Sequence, residues 1–130
     1  MKTEPGTYSW NDLVRDGSTS WTGVRNFQAR IHLRSMHIGD KAFMYHSGDE
    51  KAIQGIATIM KAAYPDSTAT EGDWVTVDIA PVTQAQTPIT LARIKTTPAL
   101  ANMVLVKNSR LSVQPVTPQE WAVITELLTK

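Results

Sequence analysis

Apolar positions recur along this chain with two different periods, and each change of period marks an element. Ser9-Trp10-Asn11-Asp12 sets a serine three residues before a carboxylate, Leu13 and Val14 follow, and Gly17 stops the run. That pattern predicts a short helix over 10–16. From Asn26 to Met36, the residues Phe27, Arg30, Ile31 and Arg34 share one side at helical spacing, with Ala29 and Leu33 between them. An amphipathic helix carrying long basic stems beside apolar groups is expected there. Gly39-Asp40 turns the chain. Lys41 to Ser47 then alternates, with Phe43 and Tyr45 on one face and Met44 and His46 on the other, which reads as a strand.

The polar turn Gly48-Asp49-Glu50-Lys51 leads to a second strand from Ile53 to Met60, with Gly55 inside it, so the pair reads as a hairpin. A loop over 65–73 precedes a third strand, 74–79, with Val75, Val77 and Ile79 inward and Trp74, Thr76 and Asp78 on the other face. Small helical pieces are expected near 91–95 and 98–103. A late strand is expected over Arg110 to Gln114, which alternates and is bounded by Pro115. Thr117-Pro118-Gln119-Glu120 is a capping box with proline at the first helical position. It opens a helix through Leu128 that buries Trp121, Ile124 and Leu128. Strands and short helices interleave without a βαβ rhythm. The expected class is α+β, a small curled sheet or barrel with helices packed outside.

The chain has 130 residues, enough for one domain spanning 1–130. Apolar residues are 42% and charged residues 19%, a composition neither disordered nor membrane-embedded. Cysteine is absent, which excludes disulfides, thiolate metal sites and cysteine nucleophiles together. No apolar run approaches the ~20 residues a bilayer requires, and no apolar stretch follows Met1-Lys2-Thr3-Glu4-Pro5. A cytoplasmic protein without a membrane partner is expected. Net charge is only +1, but its distribution is uneven. Residues 17–39 hold no acid and carry Arg25, Arg30 and Arg34; residues 79–119 hold no acid and carry Arg93, Lys95, Lys107 and Arg110. If these segments converge, one face is positive, as a polyanion binder requires.

Catalytic motifs are missing. There is no glycine-rich phosphate loop and no Gly-x-Ser-x-Gly elbow. His32 and His37 are five apart, off the spacing that places two ligands on one helical face. His46 and Ser47 are strand neighbours and point to opposite faces. Trp21-Thr22-Gly23-Val24-Arg25-Asn26 is the more telling segment. A ring that can stack on a base precedes a glycine turn, and Arg and Asn stand at a helix start, where free N–H groups attract phosphate or a base edge. Two readings stay open at this point: Trp21 as a stacking ring with Asn26 on a base edge, or Trp21 in the core with Asn26 as a helix cap. A second polar cluster falls on Tyr45-His46-Ser47 and Arg110-Leu111-Ser112, where it is either used for binding or satisfied by backbone.

Taken together, several stretches resemble the EVE domain, a family of PUA-like α+β fold with a small curved sheet or pseudo-barrel. They are Lys2-Thr3-Glu4-Pro5, Trp21 through Arg30, Leu33-Arg34-Ser35-Met36, Tyr45-His46-Ser47, Gly55-Ile56-Ala57, Ala63 through Thr68, and Arg110 through Val116 with Glu120-Trp121. The resemblance runs from residue 2 to residue 121. It implies a non-enzymatic nucleic-acid-binding domain that reads a modified, flipped-out base in DNA or RNA, with no cofactor and no metal. YTH domains, readers of methylated adenine, are similar in fold. By the same resemblance Trp21 stacks on the base or walls the pocket, and Val24, Arg25 and Asn26 line its mouth. Tyr45, His46 and Ser47 supply a wall and hydrogen bonds, Thr3, Glu4 and Pro5 the N-terminal edge, and Arg110, Leu111 and Ser112 the other side. Arg30 and Arg34 are expected on the nucleic-acid backbone, and Trp21 and Tyr45 in one cavity. This sequence departs from the family pattern at Thr3, where serine is commoner, at Phe27, where tyrosine is usual, and in a short loop over 68–74. The rival classes are an enzyme acting on a nucleic acid or nucleotide through His46, and a protein-interaction module.

Overall fold

The computed structural model describes residues 1–108 and 110–129. Among these a mixed five-stranded sheet runs β1 (Lys2–Thr3), β3 (Lys41–His46), β4 (Ala52–Pro65), β5 (Val75–Thr90) and β2 (Thr19–Ser20) from edge to edge, and it stays open. β1 lies parallel to β3 and every other pairing is antiparallel. The helices are α1 (Trp10–Asp16), α2 (Phe27–Ser35), α3 (Leu91–Thr96), α4 (Val104–Lys107) and α5 (Pro118–Leu128), with a 3₁₀ turn over Pro98–Leu100. None of them is long and apolar enough to cross a membrane.

The alternation in β3 decides the layering. Met44 packs into one buried cluster, and Phe43 and Tyr45 pack into another on the opposite face. α1 and α2 cover the first face with Trp10, Leu13, Ala29 and Leu33. α3, α4 and α5 cover the second with Ile94, Leu105, Ile124 and Leu128. Leu13 and Leu33 are fully buried, and each contributes roughly 2 kcal/mol relative to exposure. Gly55 admits this packing: a Cβ there would lie 2.6 Å from the Thr83 carbonyl oxygen and 2.7 Å from the Trp10 ring.

The helix starts follow the sequence signals closely. Ser9 and Asp12 close a capping box on α1, and Thr117 and Glu120 close another on α5. The strands differ from expectation in several places, and β1 and β2, of two residues each, lie outside every expected strand. β4 and β5 run well past the expected ends at 60 and 79. β5 contains Pro81 and Pro88, but β2 covers it only at Asp78 and Ile79, so both prolines lie along an open edge that tolerates them. Repeated register shifts between β4 and β5 bend the pair and absorb the irregularity.

The expected late strand over 110–114 is not a strand. Leu111 and Val113 are indeed buried, so the alternation reports burial. It meets β1 through the Lys2 N–H, which donates to the Ser112 carbonyl at 2.9 Å, and β1 offers an edge of only two residues. Trp121 is half-buried rather than buried and stacks on Phe43 with ring centroids 4.0 Å apart.

Candidate nucleic-acid interface

β1 is held on both sides. It pairs with Tyr45 and His46 of β3, and the Lys2 N–H reaches Ser112. Beyond it the chain doubles back: the Thr3 hydroxyl donates to the Tyr8 carbonyl at 2.7 Å, and the Thr7 and Tyr8 N–H groups donate to the Glu4 carbonyl at 2.9 Å. β2 approaches from the far edge of the sheet, where the Trp21 N–H donates to the Val77 carbonyl at 2.8 Å. Between these two arms opens a cavity of about 460 Å³. Thr3, Glu4 and Tyr8 form one wall, Trp21 to Arg25 the other, and Ser112 closes it. Trp21 is 8% exposed and meets the Tyr8 ring edge-on at 6.3 Å. Thus Trp21 is at once a core residue and a cavity wall.

The loop after β2 takes its shape from Asp66. This carboxylate is buried and accepts from the Gly23 N–H at 2.9 Å, the Thr68 N–H at 2.8 Å, the Thr68 hydroxyl at 2.6 Å and the Arg25 guanidinium at 3.0 Å. Those donors hold its pKa well below the usual carboxylate range, although burial works the other way. Gly23 has φ of 87°, a left-handed conformation that glycine adopts without strain. Asp66 therefore sets the backbone of Gly23 and the direction of Arg25 at the cavity mouth. Sequence reasoning gave it no role. The Asp66-Ser67-Thr68 turn is legible locally, but its partners lie more than 40 positions away.

A second cavity of about 520 Å³ lies behind the first. Tyr45 lines this one, together with His32 and Met36 from the end of α2, Met103, and Trp121. Lys2 and Ser112 border both cavities, so the backbone bond between them is the partition. The expectation that Trp21 and Tyr45 face one cavity is therefore corrected. They sit on opposite faces of the sheet, in separate buried clusters, because Tyr45 shares the face of Phe43 while Trp21 joins that of Met44.

Of the other expected site residues, Pro5, Asn26, His46, Ser47, Arg110 and Leu111 line neither cavity. Asn26 caps α2, its side-chain oxygen accepting from the Ala29 N–H at 2.9 Å. Leu111 is in the core. Ser47 donates from its backbone N–H to the Thr3 carbonyl at 2.8 Å and so fixes the end of β1. Arg110 is exposed. His46 is buried with both ring nitrogens engaged: Nε2 accepts from the Trp10 N–H at 2.9 Å, and Nδ1 donates to the Glu50 carboxylate at 2.6 Å. That ring joins α1, β3 and the hairpin turn.

The basic helix α2 does not present its arginines to open solvent alone. Arg30 donates to the Asp73 carbonyl oxygen at 3.1 Å, and Arg34 donates to both the carbonyl and the carboxylate of Asp73. The acid-free segment 17–39 thus packs its bases against the acidic loop between β4 and β5. No cluster of three or more His, Asp or Glu suited to a metal occurs among the described residues.

An open, bent α+β sheet with a cavity between its two edge arms is the PUA-like arrangement. The chain belongs to the EVE domain family, whose model matches residues 1–127. It is 38% identical to human thymocyte nuclear protein 1 over an alignment covering all of this chain and 73% of that protein. A solved structure of the human protein, in complex with 5-methylcytosine-containing DNA, superposes with a TM-score of 0.91 at 36% identity, covering all of this chain and 96% of that one. The solved structure of Rpa0253 from Rhodopseudomonas palustris is similar at 48% identity and a TM-score of 0.92, covering 98% of this chain and 89% of that one. A YTH domain from Zygosaccharomyces rouxii shares the fold at a TM-score of 0.60 and 18% identity, covering all of this chain and 84% of that one.

Proposed function

We propose that this chain is a non-enzymatic reader of a modified cytosine in DNA, holding the base flipped out of the helix in the cavity beside Trp21. The observation that carries this reading is the cavity itself, about 460 Å³ with Trp21 as a wall, in a chain whose human relative was solved with 5-methylcytosine-containing DNA. Flipping a base costs a few kcal/mol, and an aromatic stack returns roughly 1–3 kcal/mol, so polar contacts at the base edge supply the rest. The lining is suited to that task. The Glu4 carboxylate is an acceptor for the exocyclic amine of cytosine, and the Arg25 guanidinium and the Ser112 hydroxyl are donors for its carbonyl oxygen and ring nitrogen. The indole and the Tyr8 edge give the apolar surface that a methyl substituent needs. His46 serves as a positioning strut: it braces β3 against α1 and so holds the β1 arm. Ser47 fastens the end of that arm. Arg110, exposed near the partition, and Arg30 and Arg34, sharing Asp73, are the cations for flanking phosphates.

The test compares binding of methylated and unmethylated duplexes of one sequence, at stated salt, for the wild type, Trp21→Phe and Trp21→Ala. The methyl preference is expected to fall in the order wild type, Trp21→Phe, Trp21→Ala, while weak, salt-sensitive binding persists. A Trp21→Ala variant that folds and keeps full selectivity refutes the reading. Preference for a methylated RNA over the methylated DNA overturns the choice of DNA.

A further inference from the structure

Outside the cavity, one surface feature has no structural need for its composition. Phe27, the first residue of α2, is 67% exposed, although it is a large aromatic on an amphipathic helix. Its ring lies 5.2 Å from that of Trp74 at an interplanar angle of 31°. The Arg30 guanidinium is placed 5.0 Å from the Phe27 ring and 5.1 Å from the Trp74 ring, bridging the pair. Arg25 lies 5.9 Å from the Trp74 ring, and this same residue lines the cavity mouth. The rings and guanidinium groups therefore form a continuous ledge that begins where the cavity opens.

We infer that this ledge is a second nucleobase site, taking the base next to the one in the cavity by stacking on Phe27. The inference rests on the proposed reading of the cavity, because it places the two bases on one strand. Three properties of the ledge favour a base over a protein side chain. Its exposed element is a flat ring, and base–ring stacking tolerates any sequence because every base has a π-face. Its cation is held against rings, where it adds a cation–π contribution to a stack. And its charge suits a strand: Arg30 bonds the carbonyl oxygen of Asp73 rather than its carboxylate, which Arg34 engages, and Arg25 is turned toward Asp66. Arg30 therefore keeps a positive charge directed at the ledge, with its Nε making no hydrogen bond. A base extruded into the cavity leaves its neighbour without one stacking partner, and Phe27 replaces that partner.

The experiment uses the full chain and a methylated DNA oligonucleotide with a fluorescent purine analogue beside the methylcytosine, on either side in separate probes. With one of the two probes, the wild type is expected to quench the analogue. Phe27→Ala is expected to lose the quench and about tenfold in affinity, and Phe27→Tyr to keep both. Replacing the analogue by an abasic site is expected to erase the difference between wild type and Phe27→Ala. Because Phe27 is exposed, unchanged thermal melting separates this effect from misfolding. Equal affinity and equal quenching in wild type and Phe27→Ala overturn the ledge. So does a loss that persists on the abasic probe, or a change in self-association without a change in DNA binding. Failure of the cavity reading shows itself differently, as loss of the methylated-over-unmethylated preference in the wild type while the quench remains.

Discussion

Replacing Asp66 by Asn tests whether the cavity loop is held by a charge. The side chain of Asp66 is fully buried, that of Arg25 is 37% exposed, and the carboxylate accepts four hydrogen bonds from Gly23, Thr68 and Arg25. Hydrogen bonds to a charged group contribute about 1.5–3 kcal/mol each, and bonds sharing one acceptor group are not additive. An amide in the same place keeps one accepting oxygen and turns an NH₂ toward donors, so about 3 kcal/mol is expected to be lost near pH 7. For a chain of this length that lowers Tm by about 10 °C. The pH dependence fixes the cause. The folded-state pKa of Asp66 is depressed, so its stabilisation is present above the unfolded-state value near 3.8 and is lost as pH falls through the folded value. Melting curves of the two proteins are therefore expected to differ by a constant amount from pH 7 to about pH 5, to begin narrowing below about pH 4, and to meet only as pH falls through the folded value. The variant is also expected to bind methylated DNA with reduced preference, because Gly23 and Arg25 lose their anchor. A Tm within about 3 °C of wild type at pH 7, or a gap that does not narrow on acidification, refutes the assignment.

Other expectations follow from packing and capping. Gly55→Ala brings a methyl group against the Thr83 carbonyl oxygen and the Trp10 ring, so a loss of about 2–3 kcal/mol in denaturant unfolding is expected; a neutral result would show that β4 shifts freely. Thr117→Ala removes the oxygen that accepts from the Glu120 N–H at 3.2 Å and is expected to cost about 1 kcal/mol without changing DNA preference. A change in ligand preference there would mean that α5 communicates with the cavity.

Local chemistry made the helices of this protein legible. Ser9 and Thr117 cap where their sequence contexts say they should, and Asn26 takes the cap, one of the two roles its context left open, since a cap is satisfied by backbone groups within three residues. The alternation of Phe43, Met44 and Tyr45 foretold a strand and the division of its faces, and the fold buries both of them. The resemblance carried by residues 2 to 121 led to the family, because several ordered motifs over a whole chain are hard to meet by chance. Where strands end was not legible: Pro81 and Pro88 are breakers unless an edge is open, and only the sheet order decides that. The site was decided at the same level. Trp21 and Tyr45 look alike in sequence, yet the sheet separates them into two cavities. Arg25 and the arginines of α2 looked available until the fold brought Asp66 against the first and Asp73 against the others. Burial and charge pairing depend on which residues meet across tens of positions, and short-range pattern holds no information about that until the chain is folded.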